Sequence, residues 1–436
     1  MKKLAIAGGN PAVQTELLPY KSVRGRELEQ VKRVLESGCL SGYIGAWGEA
    51  FDGGPVVKEF ENAWKDKFSC KHAVAVNSAT SGLYAAMGAV GVGPGDEVIV
   101  PPYTMSATAM APLVYGGIPV FADIEPDTFC LDIKSVEKEI TSKTKAILVV
   151  NLFGHPGNLK ALRELADKHG IYLVEDNAQS PFATENGEFA GTIGHIGVFS
   201  LNYHKHIHTG EGGICVTNDD QLALKLRLIR NHGENAVVPA GLTDFSNMIG
   251  FNYRLPELSS AVGLAQLEKS EEHLTSRIKL ANQMTAATKD LNGLTPPVVR
   301  NNCTHVYYLW AMKYDQNVTG VSRDLFSKAL TAEGFPNYVG YVKPLYQLPL
   351  FQSRIAMGSQ GFPFNLTDRK YESGMCPIVE KMHYEQLIWF PICFYEYSDI
   401  MAKELVEGLC KVHQGLDQLR ALENEPSLTA SGNAKI

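Results

Sequence analysis

Phe199-Ser200-Leu201-Asn202-Tyr203-His204-Lys205-His206-Ile207-His208-Thr209-Gly210-Glu211-Gly212-Gly213 is followed by Ile214-Cys215-Val216-Thr217, and this stretch decides the reading of the chain. The short apolar run Ile196–Leu201 reads as a buried strand, and the glycine pair returns the chain into a second β-rich run. Lys205 lies between the two. A lysine held at the end of a buried strand sits in a partly desolvated place, where burial lowers its pKa and frees the amine for Schiff-base chemistry. Taken alone, Lys205 reads more readily as a loop lysine in solvent, because buried lysines are rare.

Working outward, residues 25 to 265 alternate helical stretches with short β-rich runs at His72–Val76, Glu97–Val100, Ile118–Ala122, Ala146–Asn151, Ile171–Glu175, Ile196–Leu201 and Gly213–Thr217. Helical patterns fall between them at Ser81–Ala89, Ala107–Tyr115, Ile133–Glu139 and Leu159–His169. This alternation predicts an α/β fold with a mostly parallel sheet covered by helices on both faces. Pro256–Leu280 reads as one long helix leading to a second unit, and beyond Pro297 the pattern shifts to a smaller α+β domain ending in a helix at Ser398–His413. The expected division is 1–285 for a large domain with an N-terminal segment and 286–436 for a small one. The polar tail from Glu423 is expected to be disordered.

The 436 residues carry a net charge of −7, with 45% hydrophobic and 20% charged residues, which is ordinary for a globular protein. There is no broad basic field, so nucleic acid is an unfavoured partner. The eight cysteines form no CxxC pair and read as reduced apolar fillers, with no metal site. The apolar residues near the N-terminus are too few for a signal peptide, and no run reaches spanning length, so the expectation is a cytoplasmic protein without a membrane partner.

Two further segments bear on chemistry. In His72-Ala73-Val74-Ala75-Val76-Asn77-Ser78-Ala79-Thr80-Ser81-Gly82-Leu83 a strand passes through a small-residue turn into a helix. Backbone N–H groups, the positive helix end and the Thr80 and Ser81 hydroxyls there suit a phosphate, though the same residues serve equally as helix caps. In Ile171-Tyr172-Leu173-Val174-Glu175-Asp176-Asn177-Ala178-Gln179, Asp176 follows a strand too apolar to be exposed. A carboxylate at the C-terminal end of a parallel strand faces the ligand crevice, where it can keep a pyridine nitrogen protonated; otherwise it caps the next helix. Ser200 adds a hydroxyl on the strand before Lys205. A phosphate site, an acidic pyridine partner and a lysine in that chain order describe a pocket for pyridoxal 5′-phosphate. No GxGxxG joins a strand to a helix, which disfavours a nicotinamide dehydrogenase.

From about Arg24 to Val412 the chain resembles the DegT/DnrJ/EryC1/StrS family of pyridoxal phosphate-dependent sugar aminotransferases. The resemblance rests on Asn77–Gly82, Pro101-Pro102-Tyr103-Thr104, Gly116–Asp123, Glu175–Gln179, Phe199–Gly213 and Gly250-Phe251-Asn252-Tyr253-Arg254, in that order. It implies the fold-type I, aspartate aminotransferase-like architecture, with Lys205 as the Schiff-base lysine and Asp176 on the pyridinium nitrogen. It further implies Gln179 on the ring hydroxyl and Thr80, Ser81 and Ser200 on the phosphate. Asn252 would reach the phosphate of a neighbouring subunit, giving a homodimer with shared active sites. Met105 stands where the family usually has an aromatic residue over the ring. His204 and His206 flank Lys205; a related branch of sugar dehydratases has histidine in place of the lysine, and here both are expected at the substrate end.

The activity so implied is ping-pong transfer of an amino group from L-glutamate to a keto-sugar. The segments Pro102–Thr108 and Asn202–His206 resemble the branch of 8-amino-3,8-dideoxy-manno-octulosonate transaminases, whose acceptor is an acidic 8-oxo sugar of lipopolysaccharide. Arg24, His206, His208, His232, Arg254 and Lys343 are the candidate cations for such an acid. The alternatives are a nucleotide-linked 4-keto-sugar as acceptor, or a pyridoxal phosphate-dependent dehydratase. A non-enzymatic regulator would not need Lys205, Asp176, Gln179 and Thr80 together.

Overall fold

A computed structural model describes residues 2–424. The tail expected to be disordered lies, from residue 425 on, outside the described residues. The principal sheet contains β1 (His72–Val76), β2 (Glu97–Val100), β3 (Ile118–Phe121), β4 (Thr144–Val150) and β5 (Tyr172–Asp176). After a short hairpin of β6 (Thr184–Glu185) and β7 (Glu188–Phe189) come β8 (Ile196–Ser200) and β9 (Gly213–Thr217). Their order is β1-β9-β8-β5-β4-β2-β3. Every neighbouring pair from β8 to β3 is parallel, and β9 alone runs against the rest. The seven strands of this sheet were legible in the sequence because each is an apolar run buried on both faces, as a helix-covered sheet requires, whereas the short β6–β7 hairpin was not.

Six strands therefore end at one edge, and β9 begins there. Ser200, the last residue of β8, is paired with Gly213, the first residue of β9. Beneath this hairpin lies an aromatic cluster. Phe199 is fully buried, with ring centroids 5.2 Å from Trp64 and 4.9 Å from Phe68. Such a cluster contributes about 3–5 kcal/mol per large ring removed, which anchors the strand that delivers Ser200 and Lys205.

The long helix expected over Pro256–Leu280 is two helices, Glu257–Glu268 and Ser270–Thr288, broken at Lys269. No glycine or proline marks the break. Lys269 turns its ammonium onto buried Glu27 at 2.5 Å, a tertiary contact invisible to hydropathy. The second unit is built on a four-stranded sheet of β10 (Leu294–Thr295), β11 (Trp310–Tyr314), β12 (Tyr338–Val339) and β13 (Leu387–Phe390), in the order β10-β11-β13-β12. Its core also takes in Leu4 and Val13, so the first residues of the chain pack with the last helices. Just after them, an arm of the chain lies alongside residues 394–396: Tyr20 N–H donates to the Phe394 carbonyl at 2.9 Å and Glu396 N–H to that of Leu18 at 3.0 Å.

Candidate active site

The strand ends surround a cavity of about 240 Å³. At one end it is closed by Ser78, Ala79 and Thr80, where β1 passes into the helix Ala79–Ala89. Ser78 is the helix cap: its hydroxyl accepts from Ser81 N–H at 3.0 Å and lies 2.9 Å from the Ser81 hydroxyl. Ser81 is thereby tied back into the helix and does not line the cavity, whereas Thr80 does. Ser200 lines the same end. The backbones of the two segments meet there without a side chain between them. A Cβ on Gly213 would come within 2.6 Å of Ala79 N and of the Ser78 carbonyl carbon, so the position admits only glycine. A capped helix N-terminus with free N–H groups, beside two hydroxyls, is a ready anion site.

Asp176 ends β5 in the cavity wall, 5% exposed. Its carboxylate accepts from the Thr108 hydroxyl at 2.8 Å and from Ala178 N–H at 3.2 Å. Burial pushes its pKa above the ordinary carboxylate range, and these two donors with the Lys205 charge only partly offset that. A partner able to donate a proton into the cavity would complete its solvation.

Lys205 faces the same cavity. Its Nζ lies 4.4 Å from the centroid of the Tyr308 ring. The π-face and the Asp176 charge favour the ammonium, but desolvation outweighs both and pulls the pKa from 10.5 down to about 8. That drop raises the neutral, nucleophilic fraction at pH 7 by roughly 300-fold.

Gln179 lines the cavity with its amide fixed. Phe153 N–H donates to Oε1 at 2.8 Å, which turns Nε2 onto the Tyr341 hydroxyl at 3.1 Å. Met105 lies at the rim, 59% exposed. Asn252 is exposed and outside the cavity; its Oδ1 accepts from Arg254 Nε at 2.7 Å, and its carbonyl accepts from Asn77 Nδ2 at 3.4 Å.

The two histidines beside Lys205 part company. His204 lines the cavity, stacked on Phe394 with ring centroids 5.8 Å apart, and burial holds its pKa down at about 4. His206, expected at the substrate end, is instead fully buried outside the cavity lining, its Nε2 2.9 Å from the Val306 carbonyl. None of the six candidate cations for an acidic acceptor lines the cavity. Arg24 is 3.7 Å from Glu396, His208 is 2.7 Å from the Ser22 hydroxyl, His232 is 3.7 Å from Glu234, and Lys343 is exposed. Ser78, Thr108, Tyr308 and Tyr341 went unnamed as site residues in the sequence. Ser78 had a signal, its place immediately before a helix, while the two tyrosines arrive from the second unit with no spacing to announce them.

The sequence pattern of the DegT/DnrJ/EryC1/StrS aminotransferase family matches residues 26–388, most of the chain. The chain belongs to this family. It is a pyridoxal phosphate-dependent aminotransferase with the fold-type I architecture. Among relatives, it is 38% identical over 282 residues to GDP-perosamine synthase of Caulobacter vibrioides, covering 64% of this chain and 75% of that one. It is 31% identical to a putative L-glutamine:3-amino-2,3-dideoxy-scyllo-inosose aminotransferase of Streptoalloteichus tenebrarius, over 96% of this chain and 99% of the other. An aminotransferase structure from Psychrobacter cryohalolentis superimposes with a TM-score of 0.79 at 27% identity, over 92% of this chain and 100% of that one. Among the described residues there is no cluster suited to a metal ion, and no helix is long and apolar enough to cross a membrane.

Proposed function

We propose that the chain moves an amino group from L-glutamate to the carbonyl of a keto-sugar, with Lys205 as the tethering and proton-carrying amine. The observation that carries this is the convergence of a buried lysine and a buried, under-solvated carboxylate on one cavity, closed at its far end by a capped helix N-terminus. The residues fit the cofactor. Thr80, Ser78, Ser200 and the helix N–H groups would hold its phosphate, Asp176 would pair with its ring nitrogen, and Gln179 would lie beside its phenolic oxygen. Met105 would cover one ring face as a polarisable thioether. Pyridoxal 5′-phosphate, when bound, supplies the electron sink for breaking a carbon–hydrogen bond next to nitrogen.

Lys205 then serves as the general base and acid, since an amine of pKa about 8 both takes and returns a proton near neutral pH. Asp176 would stabilise positive charge on the cofactor ring. Asn252, exposed beside the phosphate end, would reach into the site of a second subunit, and a homodimer is part of the proposal.

Acceptor choice follows from the lining. Lys205 is the sole lysine or arginine among the lining residues, against the carboxylates of Asp176 and Glu211, and His204 is neutral. This favours an acceptor recognised through hydroxyl groups over the acidic octulosonate. An octulosonate would need a cation from a second subunit, and Arg254, hydrogen-bonded to Asn252, would be the candidate to bring it. The full-length match to a relative named for L-glutamine and a scyllo-inosose favours a second reading, with glutamine as donor and a keto-cyclitol as acceptor.

The test is spectroscopic. The purified protein should be yellow with pyridoxal phosphate, lose that band with L-glutamate or L-glutamine, and regain it with the right ketone. Bleaching by glutamate alone does not exclude a dehydratase, since a similar structure, that of a GDP-4-keto-6-deoxymannose-3-dehydratase, holds a trapped pyridoxal phosphate–glutamate geminal diamine. An amino-sugar product formed as the band returns separates the two. Lys205→Ala transaminating at the wild-type rate would sink the assignment.

A further inference from the structure

Tyr341 reaches the cavity from the second unit, and its hydroxyl is half used. Gln179 fixes the accounting. Phe153 N–H can only donate, so the oxygen it meets is Oε1, and the Gln179 atom facing Tyr341 is the NH₂ group. The Tyr341 oxygen therefore accepts from Gln179, and its own proton must go elsewhere. It has no acceptor among the described residues, although the ring lines the cavity.

The ring itself is held firmly. It stands edge-on to Phe153 at 5.0 Å, to Tyr103 at 5.9 Å and to Trp389 at 6.0 Å. The backbone N–H of Tyr341 points at His383 Nδ1, 3.3 Å away. Burial raises the phenol's pKa to about 12, so the proton stays in place throughout the working range. Asp176 is near enough to act on it electrostatically. An immobilised donor with a free proton, beside both Gln179 and Asp176, is arranged for a ligand oxygen that carries negative charge.

We propose that Tyr341 donates its hydroxyl proton to the phenolic oxygen of bound pyridoxal phosphate, with Gln179 acting as the positioning residue that turns it there. This rests on the cofactor reading above and deepens it, because the contact tunes how tightly that oxygen holds a proton. The donor stabilises the ionised oxygen; without it the oxygen is more basic and keeps its proton to higher pH.

The experiment uses Tyr341→Phe, which keeps the ring and its edge contacts and removes only the hydroxyl. Wild type that binds pyridoxal phosphate and turns yellow secures the underlying reading before the variant is measured. The cofactor dissociation constant should then rise about 5- to 20-fold in the variant. The pH midpoint of the yellow band should move up by about 0.5–1 unit. The melting temperature of the cofactor-free protein should stay within about 2 °C of wild type. Gln179→Ala should reproduce part of both shifts, and adding it to Tyr341→Phe should give less than the sum. An unchanged dissociation constant and midpoint would overturn the proposal, as would a fall in apoprotein melting temperature with no movement of the band.

Discussion

Glu175 and Asp176 are neighbours on one strand, both buried carboxylates, and they face opposite sides of the sheet. Glu175 is saturated. It accepts from Gly191 N–H at 2.6 Å, Ile193 N–H at 2.9 Å, Gly194 N–H at 2.5 Å and Asn151 Nδ2 at 3.0 Å. Asp176 has two protein donors and a cavity in front of it. The difference teaches how to tell a structural carboxylate from a functional one. Burial raises the pKa of both, but only one has its lone pairs fully answered by its own fold.

The sharpest way to break this comparison is to truncate each in turn. Asp176→Ala should lower kcat/KM by about 10³-fold or more while leaving the melting temperature of the apoprotein near wild type. Glu175→Ala should do the reverse. It strands four buried donors, costs about 3–5 kcal/mol of stability, and shows first as lost soluble protein and a lowered denaturation midpoint. If both variants lost activity while remaining equally stable, the distinction would fall.

Next in size is the pH dependence of Lys205, the cation opposite Asp176. Its folded pKa, about 8, lies below the unfolded value near 10.5, so the unfolded chain binds more protons between those limits. Stability of the cofactor-free protein should therefore rise with pH from about 8 to 10.5, relative to Lys205→Met, by about 2–3 kcal/mol. Urea denaturation at pH 7.5 and 10 checks the sign. A smaller effect is expected from Thr108→Val, which keeps shape and removes one of the two donors to Asp176. Its effect on cofactor affinity should be about tenfold, with little change in melting temperature. Smallest is Met105→Tyr at the open rim, which should tighten pyridoxal phosphate by no more than a few-fold, about 0.5–1 kcal/mol, measured by fluorescence titration.

Legibility in the sequence follows the same line. The principal strands and Asp176, Gln179, Ser200 and Lys205 could be read because they lie at the ends of apolar runs, where the order of elements fixes the edge they share. Ser81 for Ser78 is a cap-register matter: two hydroxyls three residues apart bond to each other, and only the geometry decides which faces out. His206 misled because Tyr203–Ile207 is a turn with no two-residue alternation: His204 and Lys205 both line the cavity, while His206 turns into the core onto the Val306 carbonyl. Tyr308 and Tyr341 stayed invisible since they come from a unit whose placement over the cavity is set by packing, not by local pattern.

The arm at residues 18–20 has a practical meaning. It is hydrogen-bonded to the segment carrying Phe394, and Phe394 stacks on His204, one residue before Lys205. Trimming the chain to start at helix Gly25–Ser37 would free that segment and slacken one wall of the reaction chamber. The N-terminal twenty residues belong to the machinery, and cloning boundaries or tags should be set with that in mind.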